Sequence, residues 1–285
     1  LFTLSSLLIF GQDLSNRGTD FWVVYSGHVD GLTSRMALYI TSNVNTSGKV
    51  SVFGKDTSFT VTANQVTVVQ LTSTSTPSNA DAYLAANNIG QFEVIGRNKG
   101  IHITSKNPIV VYSHILNQAR SGSTLVLPTK VLGREYIVAS YKSTGSIATN
   151  KSEAQHNSQF DIIATEDSTK VEITPTNSDF LNNHKANVTF DTILNKGDVY
   201  QYQSFEDLTG TKIRSVATST LTCKKIAVYS GSTWTAMGCS SASSGDNLYQ
   251  QLFPSSSWGK HFYTSPSKTR KYDIFRILVQ DPTAL

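Results

Sequence analysis

The strings NPIVVYSHI (Asn107–Ile115) and KKIAVYSGS (Lys224–Ser232) set Ser113 and Ser230 at the same point of two near-copies. A serine nucleophile needs a histidine base within hydrogen-bond reach and a carboxylate behind it. His114 adjoins Ser113, and His28 lies near Asp30 in SGHVDG, so the residue types for a triad are present. The copies argue against one: Gly231 stands where the first copy has His114, and the Gly-x-Ser-x-Gly elbow of α/β hydrolases is absent. Ser230 reads more simply as the residue where a core strand exits. No His-Glu-x-x-His or Asp-x-Asp-x-Asp spacing supplies metal ligands, so neither a metal nor another cofactor is expected. A glycosidase needs two carboxyls facing one another; Glu166, Asp167 and Asp207 are the nearest available, although Glu166 and Asp167 read first as turn residues.

Binding chemistry is the better prospect. Trp22 and Trp258 sit at repeated segment starts, where a packing role is expected. Trp234 lies in the insertion STWTAMGCSSASSGDN, where exposure is favoured, and is the one candidate binding aromatic. Cys223 and Cys239, the latter within this insertion, flank the KKIAVYSGS string. A bond between them would close 17 residues and stabilise the chain by about 3 kcal/mol in the chain-entropy model.

These residues are carried by a repeat. After the first YS string comes LPTKVLGREYIVAS, and after the second FPSSSWGKHFYTSP: Pro128, Gly133 and Tyr136 match Pro254, Gly259 and Phe262. RGTDFWVVYS, with Gly18 and Phe21, is a third start. In FDIIATEDSTKVEITP, Val171 and Ile173 alternate with Lys170, Glu172 and Thr174, which reads as a strand hairpin turning at Glu166–Ser168. LYITSNVNTSGKVSVFG is its counterpart in the first copy, and IFRILVQDPTAL begins another. Tyr112 to Tyr229 is a step of 117 residues and Pro128 to Pro254 one of 126, so the longer copy carries nine extra residues, in the Trp234 stretch. Steps of this size suit tandem β-sandwiches better than solenoid repeats or propeller blades. The expected fold is therefore all-β: jelly-roll or immunoglobulin-like units over 13–127 and 128–253, with 254–285 starting a truncated third unit or supplying closing strands.

Composition agrees. With 24 basic and 20 acidic residues, a net charge of +4 and no basic run, nucleic acid is excluded as a partner. The opening LFTLSSLLIFGQ is uncharged and apolar, but shorter than the roughly 20 residues that span a bilayer. It reads as the remnant of a secretory signal peptide over 1–12, which places the rest outside the cell or on its surface, where a disulfide persists.

The segment GDNLYQQLFPSSSWGKHFYTSP, preceded by DLTGTKIRS and KKIAVYSGS, resembles the N-terminal domain family named for the mucus IgG Fc-binding protein. GTDFWVVYS and IIATEDSTKVEITP are further landmarks, so the resemblance runs from about Gly18 to the end. It implies an extracellular adhesion or recognition module with no known catalytic residue and no mapped binding site. Its partner would be a glycan, a mucin or a protein. Where animal members set a cysteine before an Asp-His-Leu triplet, this chain reads GDNL at Gly245–Leu248. That points to the branch found in bacterial surface proteins and away from an immunoglobulin ligand. The other classes to test are a secreted hydrolase and a spacer within a larger surface protein.

Overall fold

The computed structural model describes residues 15–29, 34–71, 93–117, 120–144, 157–220, 222–237, 245–269 and 273–280, the side chains of Glu93 and Val94 aside. The fold is all-β. In chain order the strands are β1 (Gly18–Val23), β2 (Arg35–Thr41), β3 (Thr46–Val52), β4 (Lys55–Val61), β5 (Val66–Gln70), β6 (Glu93–Gly96), β7 (Ile101–Asn117), β8 (Arg120–Val126), β9 (Glu135–Ile137), β10 (Ser158–Ala164), β11 (Thr169–Thr174), β12 (Phe190–Leu194), β13 (Val199–Ser204), β14 (Lys212–Ser215), β15 (Ile226–Thr235) and β16 (Asp246–Gln251). Two 3-10 turns, Thr129–Val131 and Ser255–Ser257, follow β8 and β16.

One pairing scheme occurs twice. In the first half β2 lies between β5 and the Val110–Leu116 part of β7, whose other edge carries β8. A second layer sets β3 between β4 and the His102–Ser105 part of β7, which also pairs with β1. The long β7 serves both layers and changes over at the exposed Lys106–Pro108, where proline has no N–H for a ladder. In the second half β10 lies between β13 and β15, with β16 outside β15. There β11 lies between β12 and β14, and β14 pairs with β9. β6, from the first half of the sequence, pairs with β13 and so edges the second half's sheet.

The segments read as hairpins are different: β10 and β11 lie in different sheets and are joined by an arch. Burial explains why. Every residue of β10 is buried, as a strand covered on both faces must be, whereas β11 alternates and covers one face. Likewise β15 runs five residues beyond Ser230, so that serine sits within a strand and not at its exit.

Two apolar cores follow. One, built on Phe160, Ile162, Val171, Ile173 and Tyr202, fills the second half. The other fills the first half and continues through Ile163, Val199, Ala227, Tyr229 and Tyr249, so it also cements the halves together. At the start of the second half Tyr136 is buried; its hydroxyl donates to Ile226 O at 2.7 Å and accepts from Gly133 N at 2.9 Å. Tyr136→Phe strands both groups and is expected to cost about 2 kcal/mol in denaturant unfolding. An unchanged midpoint would show that these bonds contribute nothing.

Candidate functional site

The nucleophile and acid candidates are dispersed by the strands that carry them. Successive side chains on β7 point to opposite faces, so Ser113 faces inward, 2.8 Å from the Tyr249 hydroxyl, while His114 faces outward. Neighbours in sequence, they do not form a dyad. Ser230 Oγ donates to Ala139 O at 2.7 Å, which occupies its proton. His28 is buried, and Asp30 lies outside the described residues. Glu166 and Asp167 follow the Ala164 end of β10, whereas Asp207 lies at the Ser158 end, where Leu208 N donates to Ser158 Oγ. A strand of this length holds its ends about 20 Å apart. Paired glycosidase carboxyls stand about 5–10 Å apart, so Asp207 forms no such pair with either.

Trp22 is 4% exposed and stacks on His102 at 4.1 Å, a packing role as expected. His102 Nε2 meets Asp20 at 2.7 Å; Thr129 Oγ1 donates to the same carboxyl. Burial raises the Asp20 pKa, but these bonds outweigh it and hold the carboxyl below its usual range. Trp234 lies within β15, not in a loop. It is half-buried, its ring lies where a Gly245 side chain would stand, and its carbonyl accepts from Ser143 Oγ at 2.6 Å. Cys223 is half-buried just before β15, and Cys239 lies outside the described residues. Between them β15 spans about 30 Å, so a bond would need the chain after Thr235 to run back along the strand.

One set of exposed aromatics converges on the outer face of the first half. In the register of β5, β2, β7 and β8, Val68, Tyr39, Tyr112 and Leu125 stand side by side in one row across four strands. Tyr39 is 37% exposed, Tyr112 45% and Val68 44%. Val66 extends the patch, and the His114 ring meets Tyr39 edge-on at 5.9 Å. Burial lowers the His114 pKa, so its imidazole is neutral at physiological pH and puts no charge at the centre of the face. The result is a flat apolar surface with two tyrosine hydroxyls, the make-up of a contact centre.

The second half has the same row in Gln201, Asp161, Tyr229 and Gln251, but there it is covered. The backbone leaving β1 crosses it, and the side chains are those that satisfy a crossing backbone. Tyr229 donates to Trp22 O and Tyr249 to Val24 O, each at 2.8 Å. Gln159 donates to Gly27 O at 2.7 Å and accepts from Gly27 N; Ser26 donates to Asp161. Gln251 accepts from Leu127 N at 2.6 Å. Where one copy carries Gln and Asp for a covering chain, the other carries Val, Tyr and Leu and stands open. Neither Tyr39 nor Tyr112 stands out in the sequence by itself; the signal that finds them is this contrast between the copies.

A family model described as IgGFc binding protein matches residues 122–285, from β8 onward, a shorter span than the resemblance read from Gly18. No curated protein and no solved structure matches the chain.

Proposed function

The chain belongs to the IgGFc binding protein family, and on that footing we propose that it is a non-enzymatic recognition module whose ligand-holding surface is the open face around Tyr39 and Tyr112. It consists of two tandem sandwich units, over 13–127 and 128–253, and acts outside the cell or on its surface. The repeated pairing scheme supports the two units. The signal-like opening supports export, although it lies outside the described residues. Among the described residues no helix is long and apolar enough to cross a membrane.

The contrast between the copies carries the assignment of the face. A fold that covers this row in one copy with polar partners leaves it aromatic and exposed among the described residues of the other, and an exposed aromatic row on a rigid sheet is a low-entropy anchor for a partner. The neighbours Val66, Val68 and Leu125 favour a protein ligand over a sugar, whose hydroxyls would need polar groups beside the rings. Immobilised chain, challenged with extracellular proteins, mucins before and after enzymatic deglycosylation, and free glycans, should retain a protein. That retention should survive deglycosylation and about 1 M salt, because an apolar contact is not screened. Retention of free glycans alone, or of nothing, would refute the reading.

A further inference from the structure

We propose that the described residues 254–269 and 273–280 open a third unit, seated on the second as the second is seated on the first. Their exposed apolar face is the docking surface for that unit's covering sheet, carried by polypeptide C-terminal to these residues. This goes beyond the ligand face argued above and does not depend on it.

Three correspondences carry the proposal. The first is the junction turn. Pro128 and Pro254 enter their 3-10 turns at φ −66° and ψ 148°, and φ −62° and ψ 146°. Each proline fills the space beside the glycine that began the preceding unit: a Cβ on Gly18 would overlap Pro128, and one on Gly133 would overlap Pro254. Gly259 is third in this series, yet the nearest described atoms to its ideal Cβ are 3.8 Å away, so no described proline fills its side. The second is a cross-junction contact. Asp161, in the central strand of the second unit, accepts from Ser26, five residues after Phe21. Aligning FRILVQ with FDIIAT puts Arg276 in the place of Asp161. Its guanidinium lies 3.3 Å from the ring centre of Tyr141, five residues after Tyr136, and donates to Ser140 O at 2.9 Å. It is tied further to Asp207 at 2.6 Å and Thr209 at 2.8 Å. The segment in line to become a third unit's central strand is thus held on the second at the same point.

The third correspondence shows what is missing. Tyr136, Phe160 and Ile162 are buried core residues at 1%, 0% and 0% exposure; their equivalents Phe262, Phe275 and Ile277 are 79%, 60% and 84% exposed. These three, with Phe253 and Trp258, line an open apolar groove of about 690 Å³. In the second unit the matching residues are covered by Val171, Ile173 and Ile213 of the sheet β12-β11-β14-β9. A sheet of that kind is the occupant to which the groove is shaped.

Hydrogen exchange on the 285-residue chain and on the longest natural polypeptide that contains it provides the test, with light scattering on both. In the 285-residue chain, residues 274–280 should exchange freely, the protein should be monomeric, and Ile277→Asp should leave its unfolding midpoint unchanged. In the longer polypeptide the same amides should slow by about 100-fold or more, and Ile277→Asp should abolish that protection while β10 stays protected. Protected amides in the monomeric 285-residue chain would mean that the segment is already closed, and would overturn the proposal. So would a dimer dispersed by Ile277→Asp, which would make a second copy the occupant. A natural polypeptide with no further strand-rich sequence would overturn it as well.

Discussion

Raising the pH from about 4 to about 8 should remove stability from one buried group of this protein, and Asp161→Asn should restore it. Burial pushes the Asp161 carboxyl up to about 7, and the bonds from Ser26 and from Gln201 Nε2 at 2.9 Å only partly offset that. Because the folded value lies above the unfolded one, the native state holds a proton that the unfolded chain has released. The contribution of Asp161 is therefore level below about pH 4, falls between about pH 4 and 7, and is level again above. At 1.36 kcal/mol per unit the loss has a ceiling of about 4 kcal/mol, and relaxation makes about 2–3 kcal/mol the working figure. Asp20 and His114, whose values are lowered, act in the opposite sense, losing stability as the pH falls. The difference between parent and variant isolates Asp161. Asparagine can still accept from Gln201 and can donate to Ser26 Oγ. The variant should match the parent near pH 4 and exceed it near pH 8, measured by urea unfolding at several pH values. A difference that does not change with pH would refute the account.

Gly231→Ala should be among the most damaging single changes in the chain. Gly231 pairs with Tyr249 where β15 meets β16, and a Cβ there would overlap the Leu248 carbonyl oxygen and lie 2.5 Å from its carbon. The obstruction is backbone, which no rotamer change relieves. β16 must move, and with it Tyr249, whose hydroxyl ties the second half to Val24 and Ser113. A loss of about 3 kcal/mol or more is expected, together with faster exchange of the β16 amides. Thermal unfolding and hydrogen exchange check it; a midpoint within a degree or so of the parent would contradict the close approach.

The sequence made some of this legible and hid the rest for physical reasons. Alternation in TKVEIT places Val171 and Ile173 inward, as observed. The matched YS strings identified equivalent strands because their side chains face equivalent surroundings. Period alone could not tell a hairpin from an arch, since both need a turn between two strands; only the two-sided burial of β10 decides it. Nor could it place Trp234, because a Ser/Gly-rich stretch hides how far β15 continues. The open face was hidden for another reason. Tyr39 in ALYIT looks like any strand tyrosine until the register sets it opposite Tyr112 and the second copy shows what normally lies on top.

The central claim, that this open face holds the ligand, is tested most directly by running one extracellular protein panel against three chains: the parent, Tyr39→Ala with Tyr112→Ala, and Trp234→Ala. Both tyrosines are surface residues, so circular dichroism and the thermal midpoint should stay close to the parent's. Retention of the captured protein should fall by about 100-fold or more in the double variant, as for a pair of aromatic anchors, and by less than about threefold in Trp234→Ala. Equal capture by the parent and a folded double variant, or a loss confined to Trp234→Ala, would contradict the account.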